Sequence, residues 1–272
     1  MEASGLSRNG WYHKGKDKED NAPAKEKIEA VLLKSPYYGY KRVAKQLKLE
    51  GVSWNHKRVY KIMGEYHLLQ VRKSQKVPRT TNSRHNLMVY GNEVQCLGTV
   101  LPGWVWVADV TYVWMGSGWA YLALVMDQAS KKIVGWAMSM SLHRSLCIEA
   151  LNMGLANNHA PRYHHSDRGV QYCSHDYVDI LKAKMITPSM AAVGISVDNP
   201  YAESLNRSIK VEEVYLHAYE SFEEAKESIG KYIKVYNETR LHSSIGYMSP
   251  MQFEANYQIT CVSKKLELVV SN

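Results

Sequence analysis

The 272-residue chain predicts a mixed α/β unit, helices packed against a sheet, set between an all-helical segment and a helical C-terminal region. Three observations carry this. Residues 23–70 place apolar residues at helical spacing three times over. From about residue 103 the pattern changes to β-prone runs separated by turn residues. After residue 140 helices and short strands alternate, and from 216 onward helical patterns dominate. The apolar fraction of 45% suits a globular core. No apolar run reaches the ~18 residues of a membrane span, and no signal-peptide pattern opens the chain. Cys96, Cys147, Cys173 and Cys261 are scattered without a CxxC pair, which argues against a disulfide framework or a zinc knuckle. A cytoplasmic protein is expected.

Residues 1–22 are polar, with alternating charge and no period, and are expected to be mobile. PAKEKIEAVLLKS (23–35) sets Ile28, Val31 and Leu32 on one face. GYKRVAKQLKLEG (39–51) turns Val43, Leu47 and Leu49 inward and stops at Gly51. NHKRVYKIMGEYHLL (55–69) turns Val59, Ile62 and Met63 inward behind Asn55 as N-cap. The last two helices, joined by EGVSW, read as a helix-turn-helix over 23–70, with Lys57, Arg58 and Lys61 on the second. A plain three-helix bundle with a basic surface is the alternative. Residues 71–100 begin basic and turn-rich and read as a linker.

GWVWVADVTYV (103–113), WAYLALVMD (119–127) and KIVGWAMSM (132–140) form an antiparallel meander across short turns. A helix (about 145–157), a strand ending at HHSD (about 163–167), a helix (about 175–184) and a short apolar piece, MITPSM, come next. Asp198-Asn199-Pro200 opens another helix, with Asn199 as N-cap and Pro200 at the first helical position. Ser221/Glu224 and Ser249/Gln252 mark two later helix starts of capping-box type. The closing KLELVVSN resembles a short strand or a loose tail.

Charge is unevenly spread. Residues 1–90 carry 19 Lys/Arg against 8 Asp/Glu, whereas the rest carries 15 against 18. A basic N-terminal third suggests a polyanionic partner, foremost nucleic acid.

Two acids stand out in the α/β unit. Asp109 interrupts an otherwise apolar strand, where a carboxylate is costly unless compensated. Asp167 ends the strand after the first crossing helix, and neighbouring strands can bring the two together. Like charges that close raise each other's pKa unless a cation sits between them. Glu203, one turn into the helix opened by Asn199-Pro200, completes an oxygen-ligand set for a hard divalent metal. Other readings accompany each. Asp109 could be a strand-end acid paired with a lysine. Asp127 reads as a turn cap and Asp198 as the residue leading into a helix. His164 reads as structural, whereas His165 shares strand parity with Asp167 and could meet DNA or support the site. Gly169 would allow a sharp turn after Asp167. Asn206, Arg207 and Lys210 share the helix face of Glu203 and could contact phosphates, or simply face solvent. Arg240 and His242 could contact DNA or form internal salt bridges.

WVADVTYV, HHSDRGVQY and DNPYAESLNRSIKVEE resemble the three acidic motifs of insertion-sequence transposases and retroviral integrases. The similarity is greatest to OrfB-type transposases of the IS-three family. YYGYKRVAKQLKLEGVSWNHKRVYKIM resembles that family's helix-turn-helix, YNETRLHSSIGYMSPMQFE its post-catalytic signature and SGLSRNGWY its usual opening. The resemblance covers most of the chain in order. It implies a ribonuclease-H-like catalytic core over 101–215, a mixed five-stranded sheet with flanking helices, and a helical region over 216–272. It implies Asp109, Asp167 and Glu203 as catalytic residues holding two Mg2+ ions, with Mn2+ as a substitute. The implied reaction is DNA cleavage and strand transfer at the ends of a mobile element in the bacterial cytoplasm, at the nucleoid. With DNA as the partner, the expected contacts are Lys57, Arg58, Lys61, His165, Arg168, Asn206, Arg207 and Lys210. Bridging two ends implies at least a dimer, and an upstream-frame protein could assist. The loop before the third motif, AAVGISVDN, lacks the basic residue common in the family. A DNA-binding regulator with an idle catalytic domain and a nuclease without strand transfer are the rival classes.

Overall fold

The computed structural model describes residues 21–70, 85–116, 118–192 and 198–270, with side chains to Cys261 in the last helix. Segments 1–20 and 71–84, covering the expected mobile start and the first half of the expected linker, lie outside the described residues. The chain divides into two compact units, Met1–Arg72 and Lys73–Asn272.

The first unit holds helices α1 (Ala22–Lys34), α2 (Tyr40–Leu49) and α3 (His56–Glu65). Ala24, Ile28, Val31, Tyr38, Val43, Ala44, Leu47, Val59, Ile62 and Met63 form its interior. Leu49, expected inside, is 64% exposed. It stands two residues past Leu47, about 200° around the helix, so it cannot share that face, and Ala44 does. Gly51 takes φ +87° as α2 ends. The Gly51 N–H donates to the Lys48 carbonyl and the Val52 N–H to that of Leu47. This is the left-handed helix stop for which glycine is suited. Asn55 caps α3 by accepting from the Lys57 N–H at 2.9 Å.

The second unit is built on a five-stranded sheet: β1 (Val105–Met115), β2 (Gly118–Asp127), β3 (Ile133–Ser139), β4 (Tyr163–Ser166) and β5 (Thr187–Met190). Its order is β3-β2-β1-β4-β5. The first three strands are an antiparallel meander, and β4 and β5 add in parallel beside β1. Among the described residues the helices are α4 (Arg144–Asn157), α5 (Val170–Cys173), α6 (His175–Ala183), α7 (Pro200–Ile209), α8 (Phe222–Glu238) and α9 (Pro250–Val270). A π-helical turn, Lys210–Val214, extends α7.

Strand alternation gives the sheet two faces. Trp106, Ala108, Ala123, Val125 and Ala137 pack against Leu146, Cys147, Ala150 and Leu151 of α4 and Tyr172, Tyr177 and Leu181 of α5 and α6. Gly135 lets α4 approach, since a Cβ there would lie 2.0 Å from the Ala150 carbonyl oxygen. Gly154 likewise makes room for the Trp106 ring. On the other face Asn237 of α8 pins β3 by a pair of 2.9 Å bonds with the Ile133 backbone. Gly230 there lies against the Trp136 ring.

Asp127 is a turn cap, accepting from the Gly103 and Ser130 N–H groups at 2.7 and 2.8 Å. Part of the stretch expected as linker is joined to the sheet unit: Met190 N–H donates to the Gly91 carbonyl, and Leu87 and Tyr90 pack on the core. Ser249 and Gln252 form the expected reciprocal cap of α9. KLELVV is not a strand or a tail, because the backbone of α9 runs to Val270. No glycine or proline follows Pro250 to stop it. Among the described residues no helix is long and apolar enough to cross a membrane.

Candidate active site

The sheet register brings the first two acids together. Each β1 residue faces the β4 residue 58 positions later, from Val105 with Tyr163 to Val107 with His165. The same offset carried two residues further sets Asp109 level with Asp167, which follows β4 directly. Asp109 lies inside β1. Its Oδ1 accepts from the Val110 N–H at 2.8 Å, and its Oδ2 from Asn206 Nδ2 of α7 at 2.7 Å. Burial is the main cause that pushes the Asp109 carboxyl up to about 7; the charges of Asp167 and Glu203 add to it. The Val110 N–H and Lys210 act in the opposite sense. Lys210 is itself pulled down by burial, against the opposing pull of Asp109. The charges of Asp167 and Glu203 therefore both oppose ionisation of Asp109, and Lys210 offsets them only in part.

Glu203 stands in the first turn of α7. Pro200 sits at the start of that helix, as the sequence predicts, but Asn199 does not cap it. Its side chain instead reaches β1, donating to the Ala108 carbonyl at 3.2 Å. That bond fastens the start of α7 to the residue before Asp109. Asp167 accepts from the Gly169 N–H at 2.9 Å. Gly169 has φ −63°, so the expected need for an unusual backbone is absent. The requirement is space: a Cβ would lie 2.9 Å from Asp167 Oδ1 and 3.1 Å from Gln171 Oε1.

The other predicted residues separate. Arg168 is half-buried, and its carbonyl accepts from His85 Nε2 at 2.9 Å. Arg207 is exposed beside Glu203 on α7. His165, expected as a DNA donor or a supporting group, is buried, with both ring nitrogens bonded inside the protein. His164 is buried against Tyr177, 2.9 Å from its hydroxyl, and burial, with the His165 charge second, pushes it down to about 3. Arg240 and His242 are buried too. Arg240 grips Glu212 with Nε at 2.6 Å and Nη2 at 2.5 Å, and its Nη1 meets the His242 ring. Of the two readings, internal ion pairing is the one observed. In the first unit Lys57, Arg58 and Lys61 are all exposed on α3. The Arg58 guanidinium lies 5.2 Å from the Trp54 ring centre.

Among the described residues no three His, Cys, Asp or Glu side chains stand close enough together to hold a metal ion by themselves. The donor set nevertheless fits a hard divalent ion. It consists of carboxylates alone, from β1, the residue after β4 and the first turn of α7, and Lys210 offsets the Asp109 charge only in part. Magnesium is commonly held by one or two carboxylates plus substrate phosphate oxygens, so a closed protein cage is not required. Sequence reasoning missed Asn199, Ser189 and Glu212 as supporting groups. Asn199-Pro200 carried a signal, but it was that of a helix cap.

An HTH-like domain model matches residues 18–76, and two Integrase core domain models match residues 100–196 and 184–250. The chain is 34% identical over 263 residues to the "Insertion element IS600 uncharacterized 31 kDa protein" of Shigella sonnei, covering 93% of this chain and 96% of that one. It is 33% identical over 261 residues to "Transposase InsF for insertion sequence IS3A" of Escherichia coli, covering 92% and 90%. Among solved structures, the simian T-cell lymphotropic virus intasome in complex with a PP2A regulatory subunit aligns with a TM-score of 0.51. That alignment covers 84% of this chain and 73% of that one at 14% identity, a likeness of fold.

Proposed function

Because the chain belongs to the IS-three family of insertion-sequence transposases, we propose that Asp109, Asp167 and Glu203 are its catalytic residues for DNA cleavage and strand transfer at element ends. The observation that carries this is geometric: the β1–β4 register leads Asp109 and Asp167 to the same level, and Asn199 ties the start of the helix bearing Glu203 to the residue before Asp109. These carboxylates would hold two magnesium ions, or manganese in their place. Such ions, when bound, lower the pKa of an attacking hydroxyl and neutralise charge building on the phosphate. The chain supplies position. Asn206 orients the Asp109 carboxylate, and Asn199 fixes the helix bearing Glu203 to β1. Arg207 and Lys210 follow Glu203 at helical spacing and would steady the phosphates flanking the scissile bond. The attacking oxygen, of water and then of a DNA 3′-hydroxyl, displaces the leaving 3′-oxygen in line, with no covalent bond to the protein. Joining two ends calls for at least two copies of the chain, whether or not an upstream-frame protein assists.

The test uses labelled element-end DNA, a target plasmid and Mg2+. Joined products that vanish with EDTA are expected. Binding without cleavage would instead make the protein a regulator, and cleavage without joining a nuclease.

The exposed basic face of α3 supports a DNA-reading role for the first unit. Lys57 and Lys61 lie one turn apart with exposed Tyr60 beside them, whereas Arg58 rests on Trp54. Each lost phosphate contact should flatten the slope of log K against log salt by about 0.9. Lys57→Ala/Lys61→Ala is therefore expected to reduce that slope by about 1.8 if both lysines meet phosphate. An unchanged slope would remove them from the interface.

A further inference from the structure

His165 is not needed to explain the three acids, yet it is among the most completely bonded side chains near them. It is 1% exposed. Its Nδ1 lies 2.9 Å from Ser189 Oγ on β5, and its Nε2 lies 2.9 Å from the Asp198 carbonyl oxygen. Ser189 Oγ also accepts from the Glu93 N–H at 2.9 Å. Its single hydrogen can point at Nδ1, so that in the neutral ring Nδ1 accepts and the ring hydrogen is on Nε2. A carbonyl oxygen can only accept, so the Nε2–H donates to Asp198. For the neutral ring, the carbonyl bond thus fixes the Nε2–H tautomer.

The bond to Asp198 matters because this residue leads directly into α7. Asp198 Oδ2 also accepts from the Ala192 N–H at 2.8 Å, so that residue is held at two points. The next residue, Asn199, donates to the Ala108 carbonyl of β1 and accepts the Glu203 N–H through its own carbonyl. The start of α7 is therefore tied to β4 through His165 and to β1 through Asn199. Each tie falls within four residues of one of the acids.

We propose that His165 is a positioning residue: its Nε2–H bond to the Asp198 carbonyl sets the start of α7, and with it Glu203, against Asp109 and Asp167. The proposal rests on the catalytic reading above. It makes the second histidine of HHSD neither a DNA contact nor a metal ligand, but the link between the second acidic motif and the third.

Two isosteric replacements separate the bonds. Gln places its amide nitrogen near the position of Nε2 and can still donate to Asp198. Asn places a polar atom near Nδ1 and keeps the Ser189 contact only. Purified full-length chains carrying His165→Gln or His165→Asn would be compared with wild type and Asp167→Asn. Four readouts apply: strand-transfer rate, end-DNA affinity, melting temperature, and the shift in melting temperature caused by Mn2+ without DNA. Loss of a bond that orients a ligand typically costs about 10–100-fold in activity or metal affinity. His165→Asn is expected to lose about that much in rate and to need about tenfold more Mn2+ for the same thermal shift, with DNA affinity unchanged. His165→Gln should stay within about threefold of wild type, or a small fraction of that loss. Equal losses in both variants that simply follow their melting temperatures would overturn the proposal, as would wild-type behaviour of His165→Asn. A loss of DNA affinity in both would make His165 a DNA contact and overturn it too. Failure of the catalytic reading looks different: Asp167→Asn would then match wild type in rate and in Mn2+ shift.

Discussion

Asp109→Asn is expected to abolish cleavage and strand transfer while making the metal-free protein more stable at pH 8. The activity loss should exceed about a thousandfold, since removing one member of a group that acts together costs nearly as much as removing all. The stability gain comes from the site's electrostatics. Burial, with the charges of Asp167 and Glu203 added, holds the Asp109 carboxyl at about 7 in the folded chain against 3.8 when unfolded. A raised pKa means that the folded state binds the proton more tightly. Stability should therefore be greatest at low pH as far as this group is concerned, and should fall between about pH 4 and pH 7 as the unfolded chain releases the proton first. The cost at pH 8 is on the order of 4 kcal/mol, because the difference is about three tenfold steps in proton affinity, each worth ~1.4 kcal/mol. Asn keeps the shape without the charge and removes this fall. Urea unfolding of both proteins in EDTA, at pH 5 and pH 8, reads the difference. Equal pH dependence in the two would place the strain elsewhere. Adding Mn2+ should stabilise wild type at pH 8 and leave Asp109→Asn largely unchanged.

Arg240→Ala is expected to unfold or severely weaken the second unit, by about 3–5 kcal/mol, because it leaves a buried carboxylate without its partner. Glu212 is 6% exposed and takes two Arg240 bonds plus the Tyr232 hydroxyl at 2.8 Å. Arg240 is 2% exposed, touches Ser208 of α7 and lies over the Tyr236 ring. The pair ties the chain after α8 to the π-helical turn that begins at Lys210. Replacing both partners with apolar residues, Arg240→Met/Glu212→Met, removes the stranded charge and should recover much of the loss. Thermal melts of the two variants settle the point. A double variant no more stable than Arg240→Ala would show that the pair contributes more than mutual neutralisation.

Much of the fold follows from local rules visible in the sequence. Asn55 caps α3, Ser249 and Gln252 cap α9, and the three-stranded meander falls where alternation and turns set it. Asp109 is legible for a physical reason: a carboxylate in an apolar strand is costly and asks for an explanation. The hidden features depend on contacts between distant segments. Asn199 carries a cap signal, yet its side chain turns to β1, because a strand carbonyl lies within reach. Arg240 and Glu212 are 28 residues apart, and nothing local marks either as buried. Strand parity places His165 on the correct side, but its partners Ser189 and Asp198 come from two other segments. Gly169 stands out in the sequence for its backbone freedom, whereas the structure uses its missing Cβ.

If three carboxylates from three segments of the chain act as one site, their loss should be non-additive, as it is for residues that work as a unit. Single-turnover joining rates of Asp109→Asn, Asp167→Asn and the double variant test this most directly, with circular dichroism to verify folding. Either single change is expected to drop the rate to the same floor, and the double variant to lie no lower. Near-wild-type joining by either single variant, or losses that multiply in the double, would contradict a shared site.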